Sequence, residues 1–245
     1  MPQNVWYQFN FATKKLSKPK QPWRTAKKLG KIEHKSSKQQ VLHFPHEKKC
    51  CIHFPTRGSP APMSATLICE WTADTKNALT SAFADASLIA LDAEGVDLSR
   101  EGVISIVQLA TRQQCFILDV LGKGPDDPLV VWLRAVLEDT SITKIIHDCR
   151  MDSDAFQHHL AICLSGVHDT ACWHQVLTGI EDQNLNNTLA QNTLRPNAMR
   201  DNSVYNVNPA FWATRPLTPQ MLAWASGDLA SLFDLHDKVR LYEIN

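Results

Sequence analysis

The spacing of apolar residues divides the chain into two parts. Residues 1–62 show no sustained hydrophobic periodicity, are rich in Lys, Pro and Ser, and end in a linker-like stretch at 56–62. From residue 63 onward, short apolar runs alternate with longer amphipathic ones. This pattern predicts a disordered N-terminal extension over residues 1–62 and one folded domain over residues 63–245.

Strands are predicted where short apolar runs end at turn residues. The runs lie at 88–91, 103–109, 115–118 and 142–146. The first three runs follow one another through short connections, which predicts an antiparallel meander.

Helices are predicted between and after these runs. Asp127-Pro128 supplies an N-cap and a first-turn proline, and the apolar positions that follow are 129, 130, 133, 136 and 137. Thr218-Pro219 opens the last helix, and further helical patterns occupy about 152–162, 169–179 and 184–193. Three antiparallel strands followed by alternating helices and parallel strands predict an α/β fold of the ribonuclease-H-like kind, with helices flanking a mixed sheet.

Charge separates the two parts of the chain, although the formal net charge is zero. Residues 1–62 hold 13 Lys and Arg residues against 2 Glu, a net charge of +11, whereas residues 63–245 hold 12 against 23 acidic residues. A basic arm beside an acidic domain is typical of proteins that bind nucleic acid and reserve an acidic site for cations. A nuclear address, an organelle transit peptide and a plain solvated leader remain alternatives for the arm.

Membrane and secretory classes find no support in the sequence. No apolar run approaches the roughly 18 residues that a membrane helix requires, and the N-terminus lacks a secretory signal. The seven cysteines are odd in number and contain no Cys-x-x-Cys pair, which argues against a disulfide framework and a zinc ribbon. We expect an intracellular protein with reduced thiols and no membrane partner, in the nucleus, the cytoplasm or an organelle.

Candidate chemistry is concentrated in four carboxylates. Asp92 and Glu94 stand two residues apart at the end of an apolar strand, so an extended backbone puts both on one face of the sheet. Asp152 follows the strand at 142–146, the place where α/β sheets build sites. Asp228 borders the apolar face of the last helix, where an unpaired carboxylate is costly. A lone Asp-x-Glu pair more often marks a strand running into an acidic turn, and the two downstream acids shift that balance.

Four converging carboxylates would repel one another unless cations neutralise them. Two Mg²⁺ or Mn²⁺ ions about 3.5–4 Å apart would do so, and would clamp a phosphodiester for in-line hydrolysis. Hard oxygen ligands suit both metals. The acids therefore indicate a site for two divalent cations and a nucleic-acid substrate.

Three stretches resemble the exonuclease motifs of the ribonuclease D type, within the DEDD superfamily of 3′-5′ exonucleases. They are Leu91-Asp92-Ala93-Glu94-Gly95-Val96-Asp97-Leu98, His147-Asp148-Cys149-Arg150-Met151-Asp152, and Trp212-Ala213-Thr214-Arg215-Pro216-Leu217-Thr218 followed by Asp228. The similarity spans about residues 65–240 and is nearest to the exonuclease 3′-5′ domain-containing proteins, the group that includes Egalitarian. It implies 3′-to-5′ hydrolysis of RNA or single-stranded DNA.

The resemblance also implies a role for individual residues. Asp92 and Glu94 match the ligands of the first motif and Asp228 that of the third. Asp152, five residues after the motif histidine, matches the second-motif ligand, in preference to its acidic neighbours at 148 and 154. Asp169 looks like a helix-capping Asp. Candidates for substrate contact, with a structural role as the alternative, are His147, Arg150 and Arg215.

One position departs from the family pattern. Family members carry either a Tyr four residues before the last Asp or a His five residues before it, and here these positions hold Trp224 and Ala223. Trp224 shares a helical face with Asp228 but offers one N–H donor and no acceptor. We therefore expect a site in which Trp224 takes the tyrosine's place and catalysis is slow. A catalytically inactive adaptor that binds nucleic acid or protein partners is the alternative.

Overall fold

The computed structural model describes residues 8–10, 15–17, 65–181 and 183–243. The chain forms two compact units, Met1–Pro55 and Thr56–Asn245. In the first unit, strands β1 (Gln8–Asn10) and β2 (Lys15–Ser17) pair antiparallel. Apart from these two strands, the predicted disordered extension lies outside the described residues.

A six-stranded mixed sheet forms the centre of the second unit. Its strands are β3 (Ala65–Ile68), β4 (Leu88–Val96), β5 (Val103–Ala110), β6 (Cys115–Asp119), β7 (Thr143–Ile146) and β8 (Val167–Asp169). They lie in the order β3-β6-β5-β4-β7-β8. The β4-β5-β6 meander is antiparallel, and the β3-β6, β4-β7 and β7-β8 pairs are parallel. The predicted mixed α/β sheet is confirmed.

Helices cover both faces of the sheet. They are α1 (Ala73–Phe83), α2 (Pro128–Glu138), α3 (Arg150–Leu160), α4 (Thr170–Thr178), α5 (Leu185–Gln191), α6 (Val204–Val207) and α7 (Pro219–Glu243), with a 3₁₀ turn at Phe211–Ala213. The N-cap of α2 is Asp127, whose carboxylate accepts from the Leu129 amide at 2.9 Å. All five apolar positions predicted for this helix are buried.

The pleat of β4 decides which helices face the candidate site. Ile89, Leu91 and Ala93 belong to a core shared with α1, α2 and α3. Ala90 points to the opposite face and packs in a core with α5 and α7. Side chains alternate along a strand, so Asp92 and Glu94 lie on the face covered by α7. None of the described helices combines the length and apolar character needed to cross a bilayer.

Candidate active site

The first two acids sit where β4 leaves the regular ladder. Asp92 is opposite Gln108 on β5 and Glu94 is opposite Ile106, and the register shifts immediately after Glu94. Both side chains are partly buried and line a cleft of about 390 Å³. The extended backbone has therefore put both carboxylates into one cleft, as the sequence predicted.

Asp228 approaches these two acids from α7. One oxygen from each of Asp92, Glu94 and Asp228 lies within 4.8 Å of the others. The Asp228 carboxylate is fully buried, accepting from Asn197 Nδ2 at 3.0 Å and from Arg200 Nη1 at 2.9 Å. One loop, remote in sequence from β4, thus supplies both side chains that hold Asp228.

A glycine allows the Asn197 side chain to reach Asp228. Asn197 Nδ2 also donates to the Trp224 carbonyl at 2.9 Å, so its amide lies flat against α7. A Cβ atom placed on Gly227 would lie 2.7–2.8 Å from three atoms of that amide, closer than real contacts allow. Glycine at position 227 is therefore required for the Asn197 amide to reach Asp228.

Asp152 completes the set from the first turn of α3. It is 7% exposed and lines the same cleft as Asp92 and Glu94. Its Oδ1 atom is buried and, among the described residues, has no hydrogen-bond partner. The neighbouring acids have other partners, since Asp148 pairs with Arg150 and Asp154 with Arg100. The structure therefore separates Asp152 from the two acids beside it.

Asp169 fixes the turn that leads to Asp152. Its carboxylate caps α4 by accepting from the amides of Ala171 and Cys172. It also accepts from the amides of Asp148 and Cys149 at 2.9 Å each. These bonds hold Asp148 at a φ of 58°, a left-handed conformation that non-glycine residues seldom adopt. The capping role expected of Asp169 is confirmed, and the residue also clamps the second motif.

Burial and mutual repulsion dominate the electrostatics of the four acids. Desolvation raises the pKa of Asp92 well above its usual value, and the charges of Asp152 and Asp228 raise it further. The pKa of Glu94 is likewise raised by desolvation and then by Asp92. Desolvation raises the pKa of Asp152 to about 7. The pKa of Asp228 is also raised by desolvation, although Arg200 and Asn197 oppose the shift.

Sequence reasoning missed Asn197 and Arg200. Both come from the polar loop between α5 and α6, where no periodicity distinguishes one side chain from another. Arg200 lines the cleft with Asp92 and Glu94; desolvation lowers the pKa of its guanidinium, but the charges of Asp228 and then of these two acids raise it overall. The usable signal was weak: a basic residue in an Asn-rich loop shortly before the third motif.

Two of the three substrate-contact candidates line the cleft. His147 Nε2 donates to the Gln183 carbonyl at 2.9 Å, and Nδ1 pairs with the Thr170 hydroxyl at 2.9 Å. Desolvation lowers the pKa of this imidazole. Arg150 is 69% exposed at the rim, where it pairs with Asp148. The geometry gives His147 an anchoring position and Arg150 an outward one.

Arg215 does not lie where the substrate-contact prediction requires it. Its guanidinium donates to both Asp119 oxygens at 2.7 Å and to the carbonyls of Ser105, Trp212 and Thr214. These bonds use all five of its N–H donors. Arg215 is also absent from the described lining of the cleft. The geometry therefore assigns this side chain to tying the third motif to the sheet.

Trp224 is fully buried behind Asp228. Its ring packs at 5.4 Å from Trp212, 6.0 Å from Phe211 and 6.2 Å from Tyr205, measured between ring centroids. The indole N–H is close enough to lower the pKa of Asp228 but makes no hydrogen bond of good geometry. Trp224 is 0% exposed and is not among the described residues that line the cleft.

The donor set fits hard divalent cations. Arg150 at the rim is paired with Asp148, so among the described arginines of the cleft only Arg200 is left to offset the four carboxylates, and negative charge is in excess. The unpartnered Oδ1 of Asp152 and the raised pKa of Asp92 both indicate that a cation would stabilise the ionised acids. Oxygen-only sites of this kind suit Mg²⁺ or Mn²⁺.

Curated relatives match a little over half of the chain. The mouse piRNA biogenesis protein EXD1 is 30% identical over 149 residues, which cover 56% of this chain and 26% of that protein. Ribonuclease D of Xanthomonas oryzae is 28% identical over 147 residues, or 58% of this chain and 37% of that enzyme. The chain therefore spans a quarter to somewhat over a third of the length of these two relatives.

Solved structures and a family model agree with this similarity. Ribonuclease D of Trypanosoma brucei superimposes with a TM-score of 0.60 at 24% identity, covering 71% of this chain and 64% of that one, which supports the fold. The model of the 3′-5′ exonuclease family matches residues 71–242, a stretch that includes all four candidate metal ligands. This chain accordingly belongs to the 3′-5′ exonuclease family.

Proposed function

We propose that this protein removes nucleotides from the 3′ end of RNA or single-stranded DNA by hydrolysis, using two divalent cations, Mg²⁺ or Mn²⁺. One observation carries the proposal: oxygens of Asp92, Glu94 and Asp228 lie within 4.8 Å of one another, and Asp152 lines the same cleft. A structural set of acids would be paired one to one with bases, whereas here four acids share Arg200, because Arg150 at the rim pairs with Asp148.

The chain's own groups divide the work. Bound cations would supply positive charge that polarises the phosphate and stabilises the leaving oxygen. Asp92, Glu94, Asp152 and Asp228 would hold those cations, and Arg200 adds a fixed positive charge beside them. Arg150, exposed at the rim, is suited to meet a phosphate of the incoming strand.

RNA is the favoured substrate. Relatives that bear the name ribonuclease D and a relative named for piRNA biogenesis all point to RNA. The side chains that line the cleft do not favour RNA over single-stranded DNA, so the proposal includes both substrates.

The test is metal-dependent trimming of a 5′-labelled RNA by the full chain. With Mn²⁺ present, we expect a ladder shortened from the 3′ end. Asp92→Asn should lower the rate at least about 10²-fold, because it removes a ligand shared by the cation site. Asp126→Asn, at an exposed acid outside the cleft, is the matched control and should trim like wild type. Absence of turnover in wild type, with Asp92→Asn indistinguishable from it, would overturn the proposal.

A second function is favoured by one observation. Trp224 replaces a residue that relatives use to orient water, which is compatible with an inactive adaptor that binds RNA or a protein. Mn²⁺ affinity, measured by calorimetry on wild type and Asp152→Asn, separates the two. The exonuclease proposal requires binding that Asp152→Asn weakens, whereas an adaptor requires none.

A further inference from the structure

Tyr205 stands beside the acids in a place that the sequence motifs do not mark. It belongs to α6 and is half-buried. It lines a second lobe of about 330 Å³ together with Glu94, Gly95, Asp97, Leu98 and Pro209. This lobe shares Glu94 and Leu98 with the cleft that holds Asp92 and Asp152. Tyr205 therefore lines a lobe that adjoins the acid cluster at Glu94.

A hydrogen bond from a buried tryptophan orients the hydroxyl of Tyr205. Trp212 Nε1 donates to the Tyr205 oxygen at 2.9 Å. Trp212 is only 1% exposed, so its indole is a fixed donor rather than a mobile one. A phenol oxygen that accepts this bond still has its own O–H to donate.

Hydrolysis needs a group that holds a water molecule in place. Carboxylates that bind cations accept hydrogen bonds but donate none, and the Trp224 indole is fully buried and lines neither lobe as described. Among the described residues lining the two lobes, Tyr205 is the one that carries a hydroxyl. Its phenol would be protonated at neutral pH.

We propose that Tyr205 positions the attacking water, supplying from α6 the hydroxyl that position 224 lacks. The inference rests on the proposed exonuclease function. In the step itself, the water oxygen forms a bond to phosphorus while the bond from phosphorus to the 3′ oxygen breaks. One water proton passes to a neighbouring carboxylate, and the departing 3′ oxygen takes a proton from solvent. Tyr205 donates its O–H to the water and is unchanged at the end.

Packing offers a competing explanation, since the Tyr205 ring lies 6.2 Å from Trp224 and 6.3 Å from Phe211. The two roles predict different effects of two substitutions. Tyr205→Phe keeps the ring and removes the hydroxyl, whereas Tyr205→Leu removes both. A packing role leaves Tyr205→Phe normal, and a water-positioning role makes it deficient.

The experiment measures kcat, KM, Mn²⁺ affinity and thermal stability for these variants of the full chain. We expect Tyr205→Phe to lower kcat about 10²-fold, with KM and Mn²⁺ affinity within about threefold of wild type. Trp212→Phe removes the N–H that orients the phenol and should lower kcat about tenfold. The double variant should be no slower than Tyr205→Phe alone, because the N–H acts only through the hydroxyl.

The outcomes separate this inference from the function on which it rests. Trimming by wild type together with normal kcat in Tyr205→Phe would overturn the role of Tyr205 and leave the exonuclease proposal standing. A fall in Mn²⁺ affinity that accounts for the lost rate would also overturn it, by showing that Tyr205 supports the cation site instead. No metal-dependent trimming by wild type would overturn both.

Discussion

Two arginine–aspartate pairs in this domain have similar geometry and different surroundings. Arg215 pairs at 2.7 Å with Asp119 at the end of β6, and Arg200, which lines the cleft, pairs with Asp228 at 2.9 Å. The arginine side chains are almost equally exposed, at 25% and 26%. At Arg215, one carboxylate and three carbonyls satisfy every donor. At Arg200, one guanidinium lies among three acids, Asp228, Asp92 and Glu94.

The comparison shows how a structural ion pair differs from a functional one. The Arg215 pair is balanced in charge and complete in hydrogen bonds, so it needs nothing from outside the chain. The Arg200 pair leaves negative charge and the Oδ1 atom of Asp152 without a partner among the described residues. Surplus buried charge of one sign, more than burial itself, indicates where a ligand belongs.

The largest effect on stability should come from breaking the balanced pair. Arg215→Met leaves Asp119 and three carbonyls without their donor, and should lower the free energy of unfolding by about 3–5 kcal/mol. Urea denaturation measures this change. Arg112→Met is the control, because Arg112 and Asp237 form a surface pair, 46% and 54% exposed, that should contribute at most about 1 kcal/mol. If both variants lost the same free energy of unfolding, the Arg215 pair would contribute no more to stability than a surface pair, contrary to this prediction.

Because the acids carry excess negative charge in the metal-free protein, its free energy of unfolding should fall as the pH rises. Asp152 has a folded pKa of about 7, above the value of about 3.9 expected in the unfolded chain. Between these values the folded state holds the extra proton, so the free energy of unfolding falls as pH rises through this window. Asp152→Asn removes that contribution and should stabilise the metal-free protein at pH 8 by on the order of 2–4 kcal/mol.

Chemical denaturation in EDTA at about pH 5 and pH 8 tests this expectation. Asp92, Glu94 and Asp228, whose pKa values are also raised, should add to the slope with the same sign. Saturating Mn²⁺ should abolish the decline, because the cation takes the place of the protons. A metal-free protein that gains stability from pH 5 to pH 8 would refute the picture of mutually repelling acids.

The smallest predicted effect concerns the charge of Arg200 itself. Arg200→Gln removes a positive charge beside the cation site and should tighten Mn²⁺ binding about tenfold, or roughly 1.4 kcal/mol. Arg200→Lys keeps the charge and should bind Mn²⁺ like wild type. Isothermal titration calorimetry measures both. Weaker binding in Arg200→Gln would mean that holding Asp228 in place outweighs the repulsion between like charges.

Local patterns predicted those parts of the fold whose cause is local. The apolar repeat of α2 marked every buried position of that helix, and the alternation along β4 put Asp92 and Glu94 on one face. Strand β8 was missed because three residues form it, with no apolar run. Helix α1 was missed because it buries only Leu79 and Phe83, too few positions for a clear repeat.

The candidate site likewise contains residues that local sequence patterns could identify and residues that they could not. The acids could be proposed from their places at the end of a strand and on a helix face. Asn197, Arg200 and Tyr205 could not, since each reaches the acids through a loop or a short helix whose path depends on tertiary packing. For Arg215, the sequence left substrate contact and a structural role open, because a motif position does not reveal whether its donors are already taken.

The Asp169 clamp bears on how such a domain can diverge. Its two oxygens receive four backbone amides from two separate segments, and an asparagine would offer one oxygen and two unwanted donors instead. A related domain that no longer catalyses hydrolysis could lose the acids of the cleft, but it would still need an aspartate at position 169. Substitution of the cleft acids would then indicate loss of catalysis, whereas substitution of Asp169 would indicate loss of the local fold.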